Sequence, residues 1–190
     1  MLSQQTIEQL RTLKLTGMLD ALEQQRSQPE THELAFEQRL ALLVERELLH
    51  RENRRLARLL KAARLRLPAC VEDIDYRHRR GLDKARMAGL ASCDWVRQSH
   101  NLCITGPTGC GKTWLACALG NQACRQGLSV RYLRLPELLE QLRIAHGDGS
   151  YPRLMNQLLR IELLWVAPGI SWTPRWSIEC REAREGGVHE

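Results

Sequence analysis

Up to about residue 67, apolar residues recur at intervals of three and four, the period of an α-helix with one apolar face. Ile7, Leu10, Leu15, Leu19 and Leu22 share one face, and after a break at Pro29 so do Phe36, Leu40, Val44 and Leu48. Gly17, Pro29, Pro68, Gly81 and Gly89 are the only glycines and prolines in the first hundred residues, so little interrupts the pattern. The second helix is predicted to run through RELLHRENRRLARLLKAARLRL and to stop at Pro68, whose ring removes a donor and blocks a further turn.

From about residue 95 the pattern alternates between short apolar runs and helical segments. NLCIT (101–105) reads as a buried strand, Lys112 to Arg125 as a helix closed by Gly127, and SVRYLRL (129–135) as a second strand. Pro136 suits the first position of a helix running to about His146, which HGDGSYP ends. A further helical segment to Arg160 and the strand IELLWV (161–166) follow. Strands and helices alternating at this spacing predict a parallel α/β sheet. The expected organisation is a helical domain over 1–67, a linker over 68–94, an α/β domain over 95–166 and a tail over 167–190 that is disordered.

Charge changes the picture of the second helix. Arg51, Arg54, Arg55, Arg58, Lys61, Arg64 and Arg66 stand against a single acid, Glu52, while Leu49, Leu56, Leu60, Ala63 and Leu67 hold the opposite side. Solvated helix faces interleave acids with bases; this one does not, and it is the pattern of a helix that presents cations to a phosphate backbone. DYRHRRGLDK adds Arg77, Arg79 and Arg80, and the whole chain carries a formal charge of +6 with a pI near 9.2. These cations predict a polyanionic partner such as DNA, RNA or anionic lipid, of which double-stranded DNA is the one expected.

Other chemistries are excluded or reduced. The start MLSQQTIEQLRTLKL lacks the basic-then-apolar pattern of a signal peptide and no window is apolar enough for a membrane span, so a cytoplasmic protein is expected. Seven cysteines, at 70, 93, 103, 110, 117, 124 and 180, form no C-x-x-C pair and read as reduced, mostly buried small hydrophobes. The six histidines show no ligand spacing, so no metal site of their own is expected.

One loop carries specific chemistry. GPTGCGKT (Gly106, Pro107, Thr108, Gly109, Cys110, Gly111, Lys112, Thr113) fits G-x-x-x-x-G-K-[ST] and lies between a predicted strand and a predicted helix. Glycines at 106, 109 and 111 let successive N–H groups turn inward around a phosphate, and the helix beginning near Lys112 aims its positive end at the same place. Lys112 is placed to reach the β- and γ-phosphates and the Thr113 hydroxyl to ligate Mg2+; Trp114 follows directly and is counted with the cofactor-binding run. The loop grips phosphates rather than a base, but no N-K-x-D guanine reader follows, which favours ATP.

Together these stretches resemble the IstB/DnaC-like branch of the AAA+ ATPases, the helper proteins of certain insertion sequences and related helicase loaders. The resemblance runs from LRTLKLTGMLDALEQQ through VEDIDYRHRRGLDK and NLCITGPTGCGKTWLACALGNQACRQGLSVRYLRLPELLEQL to LLRIELL. It implies an N-terminal all-helical domain followed by a partial P-loop α/β domain of AAA+ type, with ATP and Mg2+ at the loop, DNA or a transposase at the helices, and a homo-oligomer assembled on DNA. It also implies an apolar strand ending in two acids that hold magnesium. Here Ala167 and Pro168 stand where those acids belong, so ATP binding is expected with weak or no hydrolysis.

After Pro168, GISWTPRWSIECREAREGGVHE contains no leucine in 22 residues, and three of the five tryptophans lie at 165, 172 and 176. A foreign tail left by a frameshift or recombination near codon 165 accounts for that shift; an intact short protein drawing its acid from Asp148 or Glu162 is the alternative. A sheet cut at its third strand would leave an open edge and uncovered apolar faces. Two other functional classes stay open: a P-loop kinase for a nucleotide or small molecule, and a non-enzymatic DNA or protein interaction module.

Overall fold

A computed structural model describes residues 2–28, 33–77, 82–168 and 177–182. The chain forms two compact units, Met1–Ala57 and Arg58–Glu190. Pro29, Arg79, Arg80, Gly81, Trp172 and Trp176, each singled out above, lie outside the described residues.

The first unit is helical. Helices α1 (Leu2–Thr12) and α2 (Thr16–Ser27) are separated by a short break in which Lys14 takes a φ of 56°, so the predicted first helix is in fact two. The third, α3, spans Phe36–Ala63. α2 and α3 approach closely at Gly17, where a Cβ would lie 2.7 Å from the Arg46 carbonyl oxygen and 2.8 Å from the Glu47 Cα. No side chain fits there, so this glycine is a contact rather than an interruption. At the same place Glu47, buried, accepts hydrogen bonds from the Gly17 amide at 2.8 Å and the Met18 amide at 3.2 Å, capping the start of α2 from another helix. Arg51 Nε donates to the second oxygen at 2.7 Å. Phe36, Leu40, Val44 and Leu48 share a face as predicted, but that face is exposed, between 41% for Leu40 and 68% for Phe36.

The second unit begins within α3, ahead of the boundary expected at residue 67. Ala63 is fully buried, the Leu65 side chain packs at Gly120, and Arg131 donates to the Ala62 carbonyl at 3.0 Å. The helix stops at Ala63 rather than at Pro68 because Arg64 turns into the left-handed region at φ 50°. The expected linker is also folded. A 3-10 turn at Val71–Asp73 and helices α4 (Lys84–Ala91) and α5 (Asp94–Arg97) lie before the first strand, and Asp83 caps α4. Arg125 reaches Glu72 at 2.6 Å, while Trp95 Nε1 donates to the Leu90 carbonyl at 3.0 Å.

Strand β1 (His100–Thr105), helix α6 (Lys112–Arg125), strand β2 (Val130–Arg134), helices α7 (Leu135–Asp148) and α8 (Tyr151–Leu158), and strand β3 (Leu163–Ala167) follow in the predicted order. α6 is the centre of the core: Leu115, Cys117, Ala118, Leu119, Ala123 and Cys124 are almost wholly buried. β2 and β3 are parallel, with Val130 opposite Leu163 and Arg134 opposite Ala167. The tail differs from expectation. Ala167 closes β3, and Ser177–Glu182 form a strand, β4, antiparallel to β1 with Ser177 opposite Thr105. Pairing there satisfies backbone donors and acceptors that the edge of β1 would otherwise leave to water. Among the described residues Cys93, Cys117 and Cys124 are buried and Cys103 is exposed; burial pushes the Cys124 thiol up to about 11.

Candidate nucleotide site

The loop after β1 has the backbone its glycines predict. Gly109 and Gly111 adopt φ values of 82° and 94°, and the space a Cβ would take beside each holds no other atom within 4 Å. Gly111 is the N-cap of α6 in the left-handed region, and its carbonyl accepts the first helical bond from the Leu115 amide at 2.9 Å. The start of this helix is therefore open to an anion, with its dipole pointing the favourable way.

Lys112 reaches back over this loop. Its ammonium donates to the carbonyls of Gly106 and Pro107, both at 2.6 Å, and stands 3.8 Å from the Cys110 sulfur. Cys110 in turn donates to the Pro107 carbonyl at 2.8 Å. Carbonyl oxygens are neutral acceptors, and charged phosphate oxygens compete with them for an ammonium on favourable terms. Glycine φ values, an open helix start and a central ammonium together fit a triphosphate.

Two cavities flank the loop. One, of about 560 Å³, is lined by Lys112 and Thr113 together with Leu102–Thr105, Ala116, Tyr132 and Leu164–Pro168. The other, of about 210 Å³, is lined by Cys110, Gly111, Trp114 and Leu115 together with Asp73, Ile74, Asp75 and Leu82. The loop thus divides a side carrying the Thr113 hydroxyl from a side carrying Trp114. The second cavity includes residues that the sequence reading assigned to a linker. Ile74, apolar among the acids of VEDIDY and buried, was the available signal.

The end of β3 is bare where acids were sought. Ala167 and Pro168 line the same cavity as Lys112 and Thr113, and among its described lining residues none is a carboxylate. On that side the Thr113 hydroxyl is a group that could hold Mg2+. Neither alternative acid is among the described residues lining that cavity. Glu162 accepts from the Ser129 amide at 2.7 Å and hydroxyl at 2.9 Å, at the opposite end of β3 from Ala167. Asp148 accepts from the Ser150 hydroxyl and, at 2.9 Å, from the Ser150 amide in the turn after α7, and those hydrogen bonds, the hydroxyl's first, hold its carboxyl below the usual range. Among the described residues no group of three or more His, Cys, Asp or Glu is placed to hold a metal.

The candidate DNA contacts are all exposed: Arg51, Arg54 and Arg55 in the first unit, Arg58, Lys61, Arg64 and Arg66 in the second. Arg51 is paired with Glu47 and so is partly neutralised. In the second unit Arg131, unforeseen because it sits on a strand, stands beside Arg64. Burial first, and then the Arg64 charge, press its pKa below the ordinary arginine value. No described helix is long and apolar enough to cross a membrane.

Comparison with known proteins identifies this arrangement. The family described as IstB-like ATP binding protein matches residues 8–169. An insertion sequence IS1162 ATP-binding protein of Pseudomonas fluorescens is 57% identical over 165 residues, 86% of this chain and 71% of that protein. An insertion sequence ATP-binding protein of Sinorhizobium fredii, y4pL, is 46% identical over 164 residues, 86% of this chain and 67% of its own length. A second from that organism, y4uH, is 40% identical over 191 aligned positions, 98% of this chain and 77% of its length. That match passes through most of the segment after residue 169, which the family match leaves out.

Proposed function

The chain belongs to the family of IstB-like ATP binding proteins of insertion sequences, and from that premise we propose that it binds ATP at Gly106–Thr113 and serves as a transposition helper with little or no hydrolysis of its own. The observation that carries the reading is the pairing of a complete phosphate loop with a carboxylate-free strand end across one cavity. Inward amides and Lys112 hold charge on the phosphates whether or not the reaction proceeds; phosphoryl transfer needs a positioned water and a fixed metal besides. On binding, Lys112 would exchange the Gly106 and Pro107 carbonyls for phosphate oxygens, the start of α6 would stabilise the negative charge, and Thr113 would offer Mg2+ a hydroxyl. Trp114, Ile74 and Leu82 give the other side of the loop apolar surface suited to a base.

The exposed arginines support association with double-stranded DNA, and the insertion-sequence relatives support a transposase as partner; assembly into a homo-oligomer belongs to the same reading. The relatives named above are insertion-sequence ATP-binding proteins, which weighs against the small-molecule kinase alternative. Calorimetric titration with ATP, alongside phosphate release with and without duplex DNA, tests the proposal. Binding with negligible release is the expected result, and folded protein that gives no heat with ATP and Mg2+ would refute it.

A further inference from the structure

A strand and the end of a helix bring two arginines together in the second unit. Along β2 Val130 and Tyr132 are buried, so Arg131 between them projects from the strand's other face. Its guanidinium reaches the last turn of α3, where Nη1 donates to the Ala62 carbonyl at 3.0 Å. Arg64 follows two residues on at φ 50°, set between Ala63, which is fully buried, and Leu65, which packs at Gly120. Packing on both sides thus fixes the backbone of Arg64, and the Ala62 bond fixes the side chain of Arg131. That bond uses one of the five N–H donors of the guanidinium, and no other side-chain hydrogen bond of either arginine joins a described residue.

The surroundings supply no counter-charge. Elsewhere in this unit Arg97, Arg125 and Arg143 are ion-paired with Asp94, Glu72 and Glu140, whereas among the described residues no ion pair engages Lys61, Arg64, Arg66 or Arg131. Capping the end of α3 accounts for one guanidinium; a second beside it costs Coulomb energy unless an anion joins them. Burial, and then the Arg64 charge, hold Arg131 below the ordinary arginine value, as expected of two cations with no acid between them. We infer that Arg64 and Arg131 together grip one phosphate of the backbone of double-stranded DNA, an assignment that rests on the DNA association proposed above. Guanidinium forks match the paired oxygens of a phosphodiester. A fork already held in place also loses less side-chain freedom on binding than that of a freely exposed arginine.

Fluorescence anisotropy of the full chain with a labelled duplex of mixed sequence, without nucleotide, tests the grip independently of ATP. Arg64→Gln, Arg131→Gln, the double variant and Arg143→Gln are compared at salt from about 50 to 200 mM. Arg143, paired with Glu140, controls for the loss of one positive charge. Arg64→Gln and Arg131→Gln are each expected to weaken binding by on the order of tenfold, the value of a charge-assisted hydrogen bond, against less than about twofold for Arg143→Gln. Because both side chains hold one phosphate, the double variant should lose clearly less than the product of the two losses, with a log–log salt slope shallower by about 0.9 in total. Losses that multiply, an equal loss in Arg143→Gln, or undiminished affinity overturns the grip and leaves DNA association standing; no binding by the unaltered chain at about 50 mM salt overturns both. Should Arg131→Gln fail to fold, shown by the lack of a cooperative urea transition, Arg64→Gln decides alone, having no described side-chain hydrogen bond to lose.

Discussion

The phosphate loop and the end of β3 face each other across one cavity and are equipped in opposite ways. On one side Lys112 and Thr113 follow a glycine-shaped turn; on the other Ala167 and Pro168 present nothing that ionises. Holding a triphosphate and cleaving it make different demands. The first is met by backbone amides and one ammonium that a short loop builds alone, whereas the second needs a charge delivered from a distant strand. Losing the second leaves the first intact.

The largest effect is expected from restoring the missing charge. Ala167→Asp with Pro168→Glu should raise phosphate release by on the order of a hundredfold over the unaltered chain, measured in steady state at saturating ATP. Substantial release by the unaltered chain, unmoved by the pair, breaks the contrast. Lys112→Ala should weaken ATP by roughly tenfold to a hundredfold in calorimetry, the value of one charge-assisted hydrogen bond. Undiminished affinity would remove the loop from the argument.

Gly111→Ala is subtler. No atom lies within 4 Å of the added Cβ, so the cost is conformational only, about 1–2 kcal/mol for an L-residue in the left-handed region, read as several-fold weaker ATP binding. Gly89→Ala, inside α4 and equally unobstructed, should instead stabilise by about 0.5–1 kcal/mol and leave nucleotide affinity alone.

The smallest effect on nucleotide is expected from Glu47→Gln in the first unit, although it should cost about 1.5–3 kcal/mol of stability by weakening hydrogen bonds to a buried charge. Burial raises the Glu47 carboxyl, but the Arg51 hydrogen bond, the Met18 and Gly17 amides and the Arg51 charge outweigh it and set the net value below the ordinary one. Ionised Glu47 therefore stabilises the fold above the unfolded value of about 4.3, and the contribution is lost as pH falls through the lower folded value. Urea unfolding at pH 7 and below pH 4 checks both statements; equal losses for the two proteins on acidification would reassign that role.

Much of the site was legible because it is local. A phosphate loop is a run of consecutive residues whose conformation depends on its own glycines, so Gly106–Thr113 and α6 follow directly from sequence. The helices were legible too, but not their partners. The face of Phe36, Leu40, Val44 and Leu48 is apolar in sequence and exposed in the fold, while Gly17 looks like a breaker and is a helix contact. Periodicity reveals a face without saying what covers it.

By itself the sequence determined the order of elements, the loop chemistry, the absence of acids at Ala167 and Pro168 and the arginine-rich helix, all properties of neighbouring residues. Only the tertiary structure decided that Ile74 and Leu82 border the loop, that Arg131 joins Arg64, that Glu47 caps α2 and that residues of β1 and β3 line one cavity. Those relations join residues far apart in the chain, and packing and hydrogen bonding between them leave no periodic trace in the sequence.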